Sequence, residues 1–134
     1  MVVFIGCVKL KQNKPCAAEN MYISTLFKYG LAYAKKLKPR KIFILSAKYG
    51  VLELTDVISP YNETLNTKTK KENQLWAYKC YNQLKEKQID FNEPVVWLCG
   101  ENYRKYLMQK FANNNVPIKG LGLGNQLKFY KKNV

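Results

Sequence analysis

The stretch IFILSAKYGVLELTDVISPYNETL, residues 42–65, decides the fold of this chain. Residues 42–45 are a short apolar run that favours a strand, and Pro39 precedes them. A continuous apolar run is typical of a strand buried on both faces, as in a parallel sheet. Small and polar residues follow at 46–50, where that strand ends. Because ligands bind at the carboxyl edge of open α/β sheets, this turn is a candidate site.

Length and composition limit the class of protein. A chain of 134 residues is long enough for one domain, residues 1–134, with a core of its own. No segment approaches the roughly 18 consecutive apolar residues of a membrane span. The first residues, MVVFIGC, lack the basic region that opens a signal peptide. We therefore expect a cytoplasmic protein that is not embedded in a membrane.

The cysteines do not indicate a metal site. The chain has four cysteines and no histidine, and none of the cysteines forms a C-x-x-C pair. The glycine-rich run at 120–124, GLGLG, lacks the G-x-G-x-x-G spacing of a dinucleotide site. We predict neither a metal nor a cofactor, and in a reducing compartment we expect no disulfide bonds.

The charge of the chain favours a polyanionic partner. Lys and Arg number 23 against nine Asp and Glu, which gives a formal net charge of +14. Residues 1–52 hold ten of the basic residues and one carboxylate, Glu19. Charge of this size predicts association with nucleic acid or a nucleotide. The other interpretation is a lysine-rich composition that only solvates the surface.

Strand and helix patterns alternate along the chain. The predicted strands are residues 2–6, 42–45, 95–99 and 116–119. The predicted helices are residues 17–37, about 69–87, 103–111 and 126–131. Thr67 or Thr69 could cap the second helix, and Glu72 would complete a capping box with Thr69. This alternation predicts a three-layer α/β/α domain with a mostly parallel sheet of about four strands.

A parallel sheet brings the loops after its strands to one edge. The first of these loops, CVKLKQNKPC at residues 7–16, is rich in lysine and could hold a phosphate. We predict that ligand-binding residues converge at this edge. They are Cys7, Lys9, Lys11, Ser46, Tyr49, Gly50, Tyr61, Asn62, Asn102 and Tyr103. The alternative is structural: tyrosines that anchor loops, lysines that are solvated, and a glycine that supplies backbone freedom.

Four segments carry a family resemblance. They are C-x-K-x-K…P-C-A-A…M-Y-x-S-x-x-F (7–27), S-A-K-Y-G-V-L…I-x-P-Y-N-x-T-L (46–65), G-x-N-Y (100–103) and G-L-G-L-G-N-Q-L-K-F (120–129). Together they resemble a family of small uncharacterised domains of bacteria and phages. The second segment is also similar to the YaaA peroxide-stress family, whose members are implicated in DNA binding. More distantly, it is similar to the uracil-DNA-glycosylase-like domain of archaeosine synthases. These resemblances imply a uracil-DNA-glycosylase-like fold.

The loops suggest an enzymatic hypothesis. A glycosidase-type hydrolase that cleaves or exchanges an N-glycosidic bond needs a carboxylate, hydrogen-bond donors and a wall for the base. The predicted catalytic residues are Lys48, Asp56 and Glu63. Two rivals remain, a non-catalytic nucleic-acid-binding module and an inhibitor or adaptor that binds a protein. The enzyme predicts a concave pocket in which Asp56 or Glu63 meets the turn at 46–49.

Overall fold

A five-stranded sheet runs through the computed structural model, which describes residues 1–134. The strands in chain order are β1 (Val2–Gly6), β2 (Cys16–Ala17), β3 (Lys41–Ser46), β4 (Gly50–Glu53), β5 (Val57–Ile58), β6 (Val95–Leu98) and β7 (Asn114–Asn115). The order in the main sheet is β4-β3-β1-β6-β7, and β2 pairs with β5 in a separate two-stranded sheet. Within the main sheet, β3, β1, β6 and β7 are parallel, and β4 is antiparallel to β3. The chain is therefore an α/β domain with a mostly parallel sheet, as predicted.

Helices cover both faces of this sheet. They are α1 (Ala18–Met21), α2 (Thr25–Lys36), α3 (Lys70–Glu86), α4 (Glu101–Arg104) and α5 (Leu123–Asn133). Short 3₁₀ turns lie at Leu65–Thr67 and Met108–Lys110. Helices α2 and α5 pack together on one face, and α3 and α4 lie on the other. None of the helices has the length and apolar character needed to cross a bilayer.

The apolar strands are buried because both faces are covered. Alternate residues of β1 point to opposite sides: Phe4 packs with the α3 side, and Ile5 packs with the α2 side. Phe4 stacks on Trp97 with ring centroids 4.6 Å apart. On the other face, Phe27 and Tyr130 close the core over Ile5. A run of consecutive apolar residues is therefore the correct pattern for these strands.

Several predicted elements are confirmed, and others need correction. Thr69 and Glu72 form the capping box at the start of α3. The predicted first helix is interrupted, because the Ser24 hydroxyl accepts a hydrogen bond from Phe27 N and begins α2 there. The predicted strand at 116–119 is wrong, since the residues that pair with β6 are those of β7.

Three further differences concern the later loops. Strands β4 and β5 lie between residues 45 and 69, where the sequence predicts neither a strand nor a helix. The predicted helix at 103–111 consists of α4 and a separate 3₁₀ turn. Helix α5 begins at Leu123, within the glycine-rich run, rather than at residue 126. The short elements escaped prediction because they contain too few residues to show a periodic pattern.

Candidate functional site

Three neighbouring parallel strands end side by side and define the site. In the register of the sheet, Gly6 of β1 lies beside Leu45 of β3, and Ile5 lies beside Leu98 of β6. The residues that follow these strands therefore meet at one edge of the sheet. This confirms the parallel arrangement on which the predicted convergence of the loops depends.

A chain of buried hydroxyl groups lies behind this edge. The Ser46 hydroxyl donates to the Tyr61 hydroxyl at 2.8 Å, and the hydroxyl oxygens of Tyr61 and Tyr22 are 2.6 Å apart. Ser46 Oγ also accepts hydrogen bonds from the backbone N–H groups of Lys48 and Tyr49, at 3.2 and 3.0 Å. These hydrogen-bonded hydroxyl groups thus link the turn after β3 to two tyrosines from other parts of the sequence.

This hydroxyl chain has one more donor than it uses. Ser46, Tyr61 and Tyr22 carry three hydroxyl hydrogens, and these hydrogens serve two O···O contacts. Because both lone pairs of Ser46 are taken by backbone N–H groups, Ser46 is a donor to Tyr61. One tyrosine hydrogen is consequently left over. Burial raises the pKa of Tyr22 and the pKa of Tyr61 above the usual tyrosine range, so both stay protonated at neutral pH.

A second contact joins Cys7 to Tyr103. The Cys7 thiol lies 3.4 Å from the Tyr103 hydroxyl, which also accepts a hydrogen bond from the Leu65 N–H at 3.3 Å. The Thr64 hydroxyl is 3.5 Å from the same oxygen. Burial raises the pKa of Tyr103 above the usual range. Tyr103 therefore ties the segment after Asn62 to the end of β1.

A depression of about 480 Å³ opens beside the hydroxyl chain. Its lining residues are Lys9, Leu10, Lys11, Gln12, Pro60, Tyr61 and Asn62. The Lys11 ammonium lies 4.6 Å from the centroid of the Tyr61 ring, and partial burial lowers the pKa of Lys11. The structure thus brings four of the predicted ligand-binding residues, Lys9, Lys11, Tyr61 and Asn62, to a single concave surface.

Basic charge at this edge is not neutralised by ion pairs. Lys9, Lys11 and Lys48 take part in none of the six ion pairs of the structure. At the opposite, amino end of the strands, Glu53 pairs with two lysines and Glu93 pairs with Arg40 and the N-terminus. Two of the nine acidic side chains, Glu53 and Glu93, are thus placed away from the depression.

The structure does not bring Asp56 to the turn at 46–49. Strand β4 runs antiparallel to β3, with Gly50 opposite Ser46 and Glu53 opposite Phe43. Asp56 lies beyond the far end of β4, where its carboxylate accepts a hydrogen bond from the Glu53 N–H at 2.8 Å. The predicted meeting of Asp56 with the turn is therefore absent, and Asp56 instead closes a turn.

The other predicted catalytic residues are exposed. Lys48 lies with its ammonium 5.3 Å from the Tyr49 ring centroid, and its carbonyl accepts from the Lys79 ammonium at 3.1 Å. Glu63 is half-exposed and pairs with Lys68 at 3.4 Å. Neither residue lines the depression, although Glu63 directly follows Asn62 in the sequence.

Three predicted ligand-binding residues have structural contacts. The Tyr49 hydroxyl bonds to the backbone of Ser59, and the Asn102 amide donates to Asn66 Oδ1 at 2.9 Å. Gly50 has a φ of +78° and packs against the side chain of Gln83. A side chain at Gly50 would collide with that glutamine, so the glycine is required for packing and backbone conformation.

Comparison with known proteins assigns a family. Residues 2–132 match the family described as "Family of unknown function (DUF6884)". The chain belongs to this family. A search of the curated proteins finds no match. The DUF6884 match covers nearly the whole chain.

Sequence reasoning missed several residues at the site of this DUF6884 domain. Leu10, Gln12 and Pro60 line the depression, and Tyr22 completes the hydroxyl chain. An aromatic residue on a predicted helix is by default a core residue, and Tyr22 is indeed 1% exposed. The proximity of Tyr22 to the lysine loop was the one signal available in the sequence.

No group of three or more Cys, Asp or Glu side chains in the DUF6884 domain is arranged to hold a metal ion. All four cysteines are free thiols. Cys80 and Cys99 are buried, and burial raises the pKa of Cys99 to about 12. Cys7 and Cys16 are half-buried, and of these two only Cys7 contacts the residues of the site.

Proposed function

We propose that this domain binds nucleic acid or a nucleotide in the depression at the carboxyl edge of its sheet. One observation carries the proposal: Lys9 and Lys11 border a concave surface of about 480 Å³ and have no carboxylate partner. Unpaired ammonium groups at such a surface attract phosphate. The volume lies within the range of about 300–1,000 Å³ that small ligands occupy.

The remaining walls of the depression suit the other parts of a nucleotide. Leu10 is 58% exposed and offers an apolar surface against which a base can pack. Asn62 is exposed and can both donate and accept hydrogen bonds. Tyr61 is 9% exposed, so it supports Lys11 from below and does not itself stack on a base. Specific contacts with a base are therefore assigned to Asn62.

We also propose a relationship of this domain to known families. We place the domain with the YaaA peroxide-stress family and with the uracil-DNA-glycosylase-like architecture. Supporting this, the motif residues that carry the resemblance, Ser46 to Gly50 and Pro60 to Tyr61, are those that form the hydroxyl chain and one wall of the depression. Likeness of fold alone does not fix an activity, so the site carries the functional proposal.

A cleavage step is the catalytic form of the same proposal. In hydrolysis of an N-glycosidic bond, the bond from the sugar to the base breaks, water oxygen joins the sugar, and a water proton goes to the base. Glu63 does not line the depression but directly follows the lining residue Asn62, and it is the candidate carboxylate for orienting that water. Asp56 is not included, because it lies beyond the far end of β4. Without cleavage, the domain is a basic binding module.

Direct binding tests the proposal. Fluorescence anisotropy with labelled single-stranded DNA, RNA and duplex DNA across a salt series compares wild type with Lys11→Gln. A matched control is Lys85→Gln, since Lys85 is an exposed lysine on α3. We expect Lys11→Gln to weaken binding and to lower the salt slope by about one ion, with Lys85→Gln unchanged. Equal effects of the two variants would show that binding follows net charge and would overturn the proposed site.

A second assay separates the enzyme from the binding module. Release of free base from a bound oligonucleotide is measured for wild type and for Glu63→Gln. Base release that Glu63→Gln abolishes supports the hydrolase. Tight binding without base release supports the non-catalytic module. A protein-binding inhibitor or adaptor is the alternative to both, and failure of every nucleic acid and nucleotide to bind would support it.

A further inference from the structure

We infer that the ligand is an unpaired nucleic-acid strand of at least two nucleotides, which crosses two adjoining depressions. This inference rests on the proposed function and specifies its ligand. A second depression of about 430 Å³ lies next to the first. It is lined by Gln12, Glu19, Asn20, Tyr22, Ile23, Lys28, Leu31 and Lys35. Gln12 lines both depressions, so the two adjoin at this residue, and together they are called the groove.

The boundary between the two depressions is held by backbone hydrogen bonds. Gln12 N–H donates to the Met21 carbonyl at 2.8 Å, and Ile23 N–H donates to the Leu10 carbonyl at 3.1 Å. These bonds lay residues 10–12 against residues 21–23 in an antiparallel arrangement. This pairing fixes the boundary between the two halves of the groove, so the halves keep a constant separation.

Positive charge continues along the groove. Lys9 and Lys11 border the first half, and Lys28 and Lys35 border the second. Glu19 is the single carboxylate on these walls, and it lies 3.8 Å from the Lys35 ammonium. A mononucleotide can reach one half only. A phosphodiester chain carries one negative charge for each nucleotide, so it can place a charge in each half.

The walls favour an unpaired strand. Each half has apolar side chains next to its lysines: Leu10 and Pro60 in the first, and Ile23 and Leu31 in the second. Bases of a single strand can turn toward such surfaces, whereas the bases of a duplex are stacked inside the helix. A duplex would contact only the lysines that border the groove, and not its apolar side chains. Single strands should therefore bind more tightly than duplexes of the same sequence.

The test is a length series. Binding of labelled deoxythymidine oligonucleotides of one, two, four and eight nucleotides is measured by anisotropy, together with an eight-base-pair duplex. The proteins are wild type, Lys11→Gln, Lys28→Gln and the control Lys85→Gln. We expect affinity to rise about tenfold or more from one to four nucleotides, by the arithmetic of linked sites. Lys28→Gln should weaken binding of the tetranucleotide and lower its salt slope by about one, while leaving the mononucleotide unchanged.

The outcomes separate this inference from the proposed function. Mononucleotide binding that depends on Lys11 but does not strengthen with length would overturn the strand and leave the first depression as the site. The strand would also be overturned if Lys28→Gln and Lys85→Gln bound the tetranucleotide with the same affinity. A duplex that binds as tightly as the single strand would overturn it as well. Absence of binding to any of these ligands would overturn the proposed function itself.

Discussion

The hydroxyl oxygens of Tyr22 and Tyr61 lie 2.6 Å apart, although the two residues are separated by 39 positions in the sequence. Tyr61 also receives the hydroxyl hydrogen of Ser46, so one tyrosine joins three segments of the chain. Each segment adjoins the carboxyl edge of the sheet. The position of the depression therefore depends on this buried hydrogen-bonded centre.

Tyr61→Phe should destabilise the domain by about 1–3 kcal/mol. The substitution keeps the ring but leaves the hydroxyls of Ser46 and Tyr22 without their shared partner in a buried environment. Urea unfolding measures the change in free energy. Tyr78→Phe is the control, because Tyr78 is 60% exposed and its hydroxyl has no hydrogen-bond partner. A stability loss no larger than that of the control would show that the hydroxyl chain is not structural.

Asp56→Ala should weaken the fold by about 1 kcal/mol and leave ligand binding unchanged. The Asp56 carboxylate accepts the Glu53 N–H on the outer side of edge strand β4, as Gln83 does for Val51. Asp56→Asn keeps an oxygen acceptor and should retain most of the stability. Unfolding and oligonucleotide binding are measured for both variants. If Asp56→Ala abolished base release while remaining folded, Asp56 would have to be returned to the catalytic site.

Gly50→Ala should be more damaging than a typical surface change. At a φ of +78° an alanine is strained, and its Cβ would collide with Gln83 Oε1. Relief of that contact would break the bonds of Gln83 to Tyr49 and Val51, so we expect a loss of more than about 1 kcal/mol. Gly124→Ala is the control, because it faces open space within α5 and should be neutral or slightly stabilising. Similar melting temperatures for the two variants would contradict this account.

Stability should fall as acid protonates two paired glutamates. Hydrogen bonding to Arg40 lowers the pKa of Glu93, and hydrogen bonding to Lys41 and then Lys87 lowers the pKa of Glu53. A carboxyl with a lowered folded-state pKa stabilises the fold above its unfolded pKa of about 4.3, and this contribution is lost as pH falls through the lowered value.

Urea midpoints between pH 7 and pH 2.5 measure this effect. Glu93→Gln removes one of these two glutamates, so its stability should depend less steeply on pH below about 4.3 than that of wild type. Glu86→Gln is the control, because Glu86 lies on α3 without an ion-pair partner. If stability depended on pH equally steeply in Glu93→Gln and in wild type, the ion pair of Arg40 and Glu93 would not be a cause of the acid sensitivity.

The sequence predicted those elements that leave a local pattern of residues, such as an apolar run or a capping box. The run at 42–45 predicted a strand covered on both faces, and the capping box of Thr69 and Glu72 predicted the start of α3. It was uninformative for elements of two residues, such as β5 and β7, which have no period to detect. Of the candidate site residues, Lys9, Lys11, Tyr61 and Asn62 converged on one concave surface, and Asp56 did not.

The sequence by itself determined the parallel α/β architecture, because apolar runs that alternate with amphipathic segments can be buried in few other ways. Tertiary structure decided the site. The turn after Ser46 reverses the chain into β4, which carries Asp56 away from the edge and returns Tyr61 to it. Periodicity records how deeply a residue is buried, but the direction of the chain after a turn depends on contacts with distant segments, here Gln83 and Tyr22. Those contacts are visible only in the folded molecule.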